Sequence, residues 1–276
     1  MNVKKGKTAF EEEDLILMAK RSKEPTVDKK ILNQIYPKID YFKGMDEQEK
    51  DAKEENSKNL NLVIIGHVDS GKSTLTGHLL YKLEIVKEQE MRKMNKLCDQ
   101  NNKASFQFAY IMDELEEERE RGVTIELTTR FFKTPNRDFT ILDAPGHRDF
   151  IANMITGSTQ ASCAVLVLDA YKNAFESGWD GGLCTTKEHA ILARCLGVSQ
   201  LVCVINKMDT CEWNQDRFTF IHEKLEQHLV KKLGFKADCL SYIPISGLSG
   251  ENLLTRSSDP NLTSWYDGPC LVEVLD

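Results

Sequence analysis

From Leu60 onward, short apolar runs alternate with longer stretches in which apolar residues recur every three or four positions. The runs Leu62-Val63-Ile64-Ile65, Phe139-Thr140-Ile141-Leu142, Leu201-Val202-Cys203-Val204-Ile205 and Tyr242-Ile243-Pro244-Ile245 predict buried strands. Helices are predicted over Lys72 to Lys82, Val86 to Gln100, Lys187 to Leu196 and Asn214 to Leu233. In the last of these, Phe218, Ile221, Leu225, Leu229 and Leu233 form a stripe at helical spacing, which marks a core face. Pro135-Asn136 signals a turn between Ile125 to Lys133 and Asp138 to Leu142, so these runs are expected to pair antiparallel at a sheet edge. The pattern predicts an α/β fold, a mostly parallel doubly wound sheet with an antiparallel edge strand.

Residues 1 to 58 follow a different pattern. Lysine and acidic residues dominate, and the only apolar clusters are Leu15-Ile16-Leu17-Met18 and Ile31 to Tyr41. This part reads as a polar extension or partly ordered linker, with a partner-contacting segment as the alternative. The 276 residues are enough for that extension and one α/β domain over residues 59–276.

A net charge of −7 argues against a surface that grips nucleic acid throughout, so any RNA contact is expected to be local. The eight cysteines show no C-x-x-C spacing and several lie inside apolar runs. Reduced, buried thiols in a cytoplasmic protein account for them better than a zinc site or a disulfide framework. The N-terminus has no apolar signal core and no run is long enough to span a bilayer, so a soluble chain without a membrane partner is expected.

Candidate chemistry sits directly after the apolar runs, where the carboxyl ends of sheet strands bind ligands. Gly66-His67-Val68-Asp69-Ser70-Gly71-Lys72-Ser73, followed by Thr74, has phosphate-loop spacing after the first run. A strand, a glycine-rich turn and a helix opening at Lys72 aim backbone N–H groups and the positive helix end at one phosphate. Lys72 is expected to reach the terminal phosphates, and Ser73 to ligate Mg2+. Asp143-Ala144-Pro145-Gly146 follows the second run; Asp143 is expected to support the magnesium through a water, and the Gly146 N–H to meet the γ-phosphate.

Asn206-Lys207-Met208-Asp209 follows the third run, and a fixed carboxylate at Asp209 can accept the two neighbouring donors that guanine presents. Adenine would leave that carboxylate facing an acceptor, so guanine is expected, bound as GTP or GDP. Ser246-Gly247-Leu248, after the fourth run, offers backbone N–H groups for the guanine carbonyl. Arg119-Glu120-Arg121-Gly122-Val123-Thr124-Ile125-Glu126 lies between the phosphate loop and Asp143, with Thr124 placed as a second hydroxyl ligand of magnesium when the γ-phosphate orders the segment. His67, His78, His189, His222 and His228 lack a metal-ligand pattern and read as surface or packed residues.

Together, Gly66 to Ser73, Arg119 to Thr124, Asp143-Ala144-Pro145-Gly146-His147 and Asn206 to Asp209 resemble the translational GTPases of the elongation-factor-one-alpha group. The resemblance implies GTP hydrolysis on the ribosome, with His147 orienting the attacking water. Within the group, the stretch Ser246 to Leu253, then Thr255-Arg256-Ser257 and Leu262-Thr263-Ser264-Trp265-Tyr266, is similar to the Hbs-type ribosome-rescue branch. Leu60-Asn61-Leu62-Val63 and Lys103-Ala104-Ser105-Phe106 also fit that branch. It implies a monomer that delivers a Pelota-like factor to stalled ribosomes, with ribosomal RNA contact and with β-barrel domains downstream of this chain. The aminoacyl-tRNA carrier and the termination GTPase remain alternatives, as does a GTP-sensing module that does not hydrolyse. Two departures bear on loops: Glu84 stands where relatives commonly have glycine, and Leu183-Cys184-Thr185 replaces the usual Gly-Gln-containing turn.

Overall fold

The computed structural model describes residues 59–100, 106–113, 115–147, 155, 161–180 and 185–276. The expectations for residues 1–58, for Lys103-Ala104-Ser105 and for Leu183-Cys184 lie outside the described residues. The elements are, in order, β1 Asn59–Gly66, α1 Lys72–Lys82, α2 Glu88–Gln100, α3 Ala109–Met112, α4 Glu116–Arg121, β2 Thr128–Lys133, β3 Asp138–Asp143, β4 Cys163–Asp169, α5 Ala174–Asp180, α6 Thr185–Cys195, β5 Gln200–Asn206, α7 Gln215–Glu226, β6 Leu240–Pro244, α8 Pro260–Thr263 and α9 Leu271–Leu275.

The sheet order is β2-β3-β1-β4-β5-β6. Only the β2–β3 pair is antiparallel, at the edge, and the other four pairings are parallel. Strand residues alternate between two cores. Val63, Ile65, Leu142, Leu166, Leu168, Cys203 and Ile205 face one side, under Phe175 and Trp179 of α5, Ile191 of α6 and Ile221 and Leu225 of α7. Leu62, Ile64, Ile141, Val165, Val167 and Val204 face the other, under Leu75 and Leu80 of α1 and Leu271 and Leu275 of α9. This two-sided burial is why the runs read as continuously apolar.

The central strand β4, Cys-Ala-Val-Leu-Val-Leu-Asp, is not among the runs singled out from the sequence. It carries no motif at its end, and only its uninterrupted apolar run marks it. The expected helix from Asn214 to Leu233 begins where predicted, since the Asn214 side chain accepts from the Arg217 N–H. Its last part is a single π turn, Gln227–Lys232, in which the Leu233 N–H reaches back five residues to the His228 carbonyl. The wider turn keeps both Leu229 and Leu233 buried. The segment Ile125 to Thr128 was expected to extend the edge strand, but pairing starts only at Thr128, because residues before it are held by a side chain described below.

Because β1 has β3 on one side and β4 on the other, the chain leaves β1 at the point where the strand order reverses. Such a reversal opens a crevice at the carboxyl ends of the strands, and the motif loops converge there.

Candidate functional site

The loop after β1 is shaped by backbone that side chains would obstruct. At Gly66 (φ +149°) a Cβ would lie 2.3 Å from the Val167 carbonyl oxygen, and at Gly71 (φ +89°) 2.5 Å from Asn206 Nδ2. Both positions therefore require glycine. The Ser70 Oγ donates to the His67 carbonyl at 2.9 Å, which closes the turn before α1 opens at Lys72.

Lys72 is buried, and its Nζ curls back to donate to the His67 carbonyl at 2.9 Å. Loss of water pulls its pKa down to about 8, while Asp143 and Asp69 pull it up. A charge held at that cost favours an anion arriving beside it. Gly146 lies close enough that a Cβ there would sit 2.4 Å from Lys72 Nζ.

Ser73 Oγ and Thr124 Oγ1 are 3.0 Å apart, although 51 residues separate them. Asp143 is completely buried, and neither carboxylate oxygen has a hydrogen-bond partner. Burial raises its pKa to about 6, opposed by Lys72 and the nearby Ser73 hydroxyl. Two converging hydroxyls beside a carboxylate without partners form a hard-oxygen set that fits Mg2+ completed by phosphate oxygens and water.

Two residues missed in the sequence complete this end. Asp113, buried with its Oδ1 unpartnered, has its pKa raised to about 7 by burial and then by Asp143 and Glu118. It brings a second acid close to Asp143. Glu118 is buried, and its carboxylate accepts from the N–H groups of Ile125 at 2.8 Å, Glu126 at 3.1 Å and Leu115 at 3.1 Å. It thereby folds the chain around Thr124 and holds Ile125 and Glu126 away from the sheet. A Glu three residues after a helix-opening position is the signal that marks it.

At the other end, Asn206 is a brace. Its Nδ2 donates to the Ser70 carbonyl and its Oδ1 accepts from the N–H groups of Lys207 and Gly247, each at 2.8 Å. The amide thus ties the phosphate loop to the loop after β6. The Gly247 N–H, expected to face a guanine carbonyl, is committed to this brace, while Leu248 is exposed at the cleft wall. Lys207, in a left-handed conformation (φ +61°), donates to the Asp69 carbonyl and to Asp169 Oδ2, each at 2.7 Å. Asp169 is another residue the sequence reading passed over, at the end of the missed strand β4.

These groups surround a cavity of about 380 Å³. Val68, Asp69, Gly71, Lys72, Ser73 and Thr74 form its floor, Thr124, Gly146 and His147 one wall, and Asn206, Lys207, Asp209 and Leu248 the far end. Gly66, His67, Ser70, Asp143, Ser246 and Gly247 lie behind that surface. His67 is half-buried and its Nδ1 hydrogen-bonds Thr185 Oγ1. His147 is exposed, at the last described position before residues 148–154. His189 is completely buried, and burial lowers its pKa to about 3, consistent with the expected packing role.

The family model described as Elongation factor Tu GTP binding domain matches residues 57–276. Elongation factor 1-alpha 2 of Euplotes crassus is 48% identical over 234 residues, which covers 84% of this chain and 50% of that protein. Protein HBS1 of Drosophila melanogaster is 48% identical over 229 residues, covering 83% of this chain and 34% of that protein. Among solved structures, the S. cerevisiae Ski7 GTPase-like domain, bound to GDP and inorganic phosphate, aligns with a TM-score of 0.70 at 27% identity, over 83% of this chain and 51% of that one. The chain spans half or less of the length of these curated relatives.

Proposed function

The chain belongs to the elongation factor Tu GTP-binding-domain family as a translational GTPase domain, and from that premise we propose that it hydrolyses GTP on the ribosome in the cytoplasm to deliver a Pelota-like factor to stalled ribosomes. The observation that carries the chemistry is the convergence of Ser73, Thr124 and the partnerless Asp143 beside Lys72. Ser73 and Thr124, with Asp143 behind them, would hold a magnesium ion, whose charge would offset that developing on the phosphates. Lys72 contributes a positive charge to the same oxygens, and the Gly146 backbone approaches closely enough to register a terminal phosphate. His147, on the open wall, orients the attacking water. Asp209 accepts from the guanine edge while Asn206 holds the surrounding loops. As the family resemblance implies activation by the ribosome, hydrolysis in isolation is expected to be slow and activated in trans.

The rescue branch is supported by the 48% identity to Protein HBS1, while the loop after β6, whose residues resemble that branch in sequence, is held by its own contacts. Ser246 and Glu251 form an isolated antiparallel bridge, and Asn252 Nδ2 donates to the Pro244 carbonyl at 2.9 Å. Equal identity to an elongation factor 1-alpha supports a second reading, carriage of aminoacyl-tRNA. The test compares GTP-dependent binding of a Pelota-like protein, a termination factor and aminoacyl-tRNA, with ribosome-stimulated single-turnover hydrolysis followed in parallel. Selective binding of the Pelota-like protein is expected. Selective binding of either competitor would move the chain to another branch, and absence of stimulated turnover would make it a GTP sensor.

A further inference from the structure

Helix α1 carries two adjacent residues that seat Phe108, the residue leading into α3. The Phe108 carbonyl comes so near Gly77 that a Cβ there would lie 2.0 Å from its oxygen. One position further on, the His78 ring stacks on the Phe108 ring, with centroids 3.9 Å and planes 6° apart. The same imidazole is buried, and its Nδ1 donates to the Gly247 carbonyl at 2.8 Å, which assigns the Nδ1–H tautomer. One turn later, Lys82 Nζ donates to the Gly250 carbonyl at 2.6 Å. Gly250 (φ +79°) lies against the Cε1–Nε2 edge of the imidazole, where a Cβ would lie 2.5 Å from His78 Cε1.

One ring therefore touches two segments that adjoin the cleft lining and that the chain keeps far apart. Gly247 is the neighbour of Leu248 at the base end, and Phe108 begins the segment that runs through Asp113 and Glu118 to Thr124 at the metal end. Hydrogen bonds tie parts of that segment together: Arg119 Nε donates to the Asp113 carbonyl at 2.9 Å, and Glu118 accepts from the Ile125 and Glu126 N–H groups that follow Thr124. The close Gly77–Phe108 backbone contact fixes the height of the stack. The imidazole can follow a movement of Gly247 only by sliding across the Phe108 ring, and close-packed contacts change between discrete arrangements instead of stretching.

We propose that His78 is a positioning residue that couples the base loop at Gly247 to the segment carrying Thr124, so that a seated guanine favours the Thr124 placement that binds magnesium and the γ-phosphate. This rests on reading the cleft as the GTP site with Thr124 on the metal. The test uses the full chain with magnesium and measures affinity for GDP and for a non-hydrolysable GTP analogue. His78→Phe keeps a ring for the stack and removes the N–H donor, while Phe108→Leu keeps the donor and removes the stack. His78→Asn, which retains a donor near the Nδ1 position and lacks the ring, repeats the second condition if the Phe108→Leu variant fails to fold.

Each single variant is expected to lower the preference for the triphosphate over GDP by about five-fold or more. The His78→Phe/Phe108→Leu double variant should be no worse than the singles, because either change already breaks the link. Weakening of both nucleotides by the same factor, or additive losses in the double variant, would reduce His78 to a packing residue and overturn the proposal. Thr124→Ala separates the two levels: if it alters neither magnesium dependence nor triphosphate preference, the reading of the cleft fails, and the coupling fails with it.

Discussion

At the scale of single residues, the base selectivity proposed for this cleft rests on Asp209. It lines the far end of the cavity, beyond the brace formed by Asn206. Its carboxylate only accepts hydrogen bonds, which suits the adjacent ring N–H and amine of guanine. Asp209→Asn supplies a donor that faces the added carbonyl of xanthine, so preference is expected to move from guanine to xanthine nucleotides by ten-fold or more (roughly 1–3 kcal/mol for a buried mismatch). Competition binding of GTP against xanthosine triphosphate reads the shift, and unchanged guanine preference would remove Asp209 from the base site. The residues readable in the sequence are those whose loops follow recognisable strands, such as Lys72, Ser73 and Asp209. Asn206 was legible as a motif member but not as a brace, because its partners Ser70 and Gly247 lie 136 and 41 residues away. Asp113 and Glu118 were hidden for a related reason: their roles come from burial and from the fold of one turn, which charge-rich sequence around them disguises as a solvated surface.

At the scale of elements, the departure at Glu84 becomes physical. Helix α1 ends in a pair of bonds, Ile85 N–H to the Leu80 carbonyl at 3.1 Å and Glu84 N–H to the Tyr81 carbonyl at 3.0 Å. That pattern is a Schellman motif, and it requires a left-handed residue at Glu84, which has φ +58°. A side chain there is strained, and glycine relieves it. Glu84→Gly is expected to stabilise the chain by about 1 kcal/mol, raising Tm by ~2–4 °C in thermal unfolding; a lower Tm would mean the Glu84 side chain contributes more than its backbone costs. The parallel sheet and its antiparallel edge were legible because burial on both faces and a Pro-Asn turn leave clear marks. Helix ends drifted by a residue or two, from Val86 to Glu88 and from Lys187 to Thr185, since fraying and capping shift the limits of an element without changing its periodicity. Strand β4 escaped notice although it lies at the centre of the sheet, because the apolar run Cys163 to Leu168, with no motif beside it, is compatible with either a strand or a buried helix segment.

For the molecule as a whole, two buried acids are poorly compensated by the protein itself. Asp143 and Asp113 have pKa values raised to about 6 and about 7, in both cases chiefly by burial. The folded chain therefore holds protons that the unfolded chain has released between about pH 4 and those values. Stability falls as pH rises through that window, and the full penalty is present above it. For Asp143 alone this amounts to something on the order of 3 kcal/mol at neutral pH, the difference between an ordinary aspartate and one near 6. A magnesium–nucleotide complex bound beside Asp143, as proposed, would select the ionised acids and reverse the sign, setting nucleotide binding against intrinsic stability. Asp143→Asn is expected to melt several degrees above the unmodified chain in EDTA without nucleotide at pH 7.5, with the difference shrinking towards pH 4. With magnesium and GTP the order should invert, because only the unmodified chain gains from the ion. Melting curves of both proteins across pH, with and without the ion, read the two effects separately. If the Asn variant melted lower in EDTA at every pH, Asp143 would be a structural acid whose charge the fold already satisfies, and its place beside the metal would have to be given up.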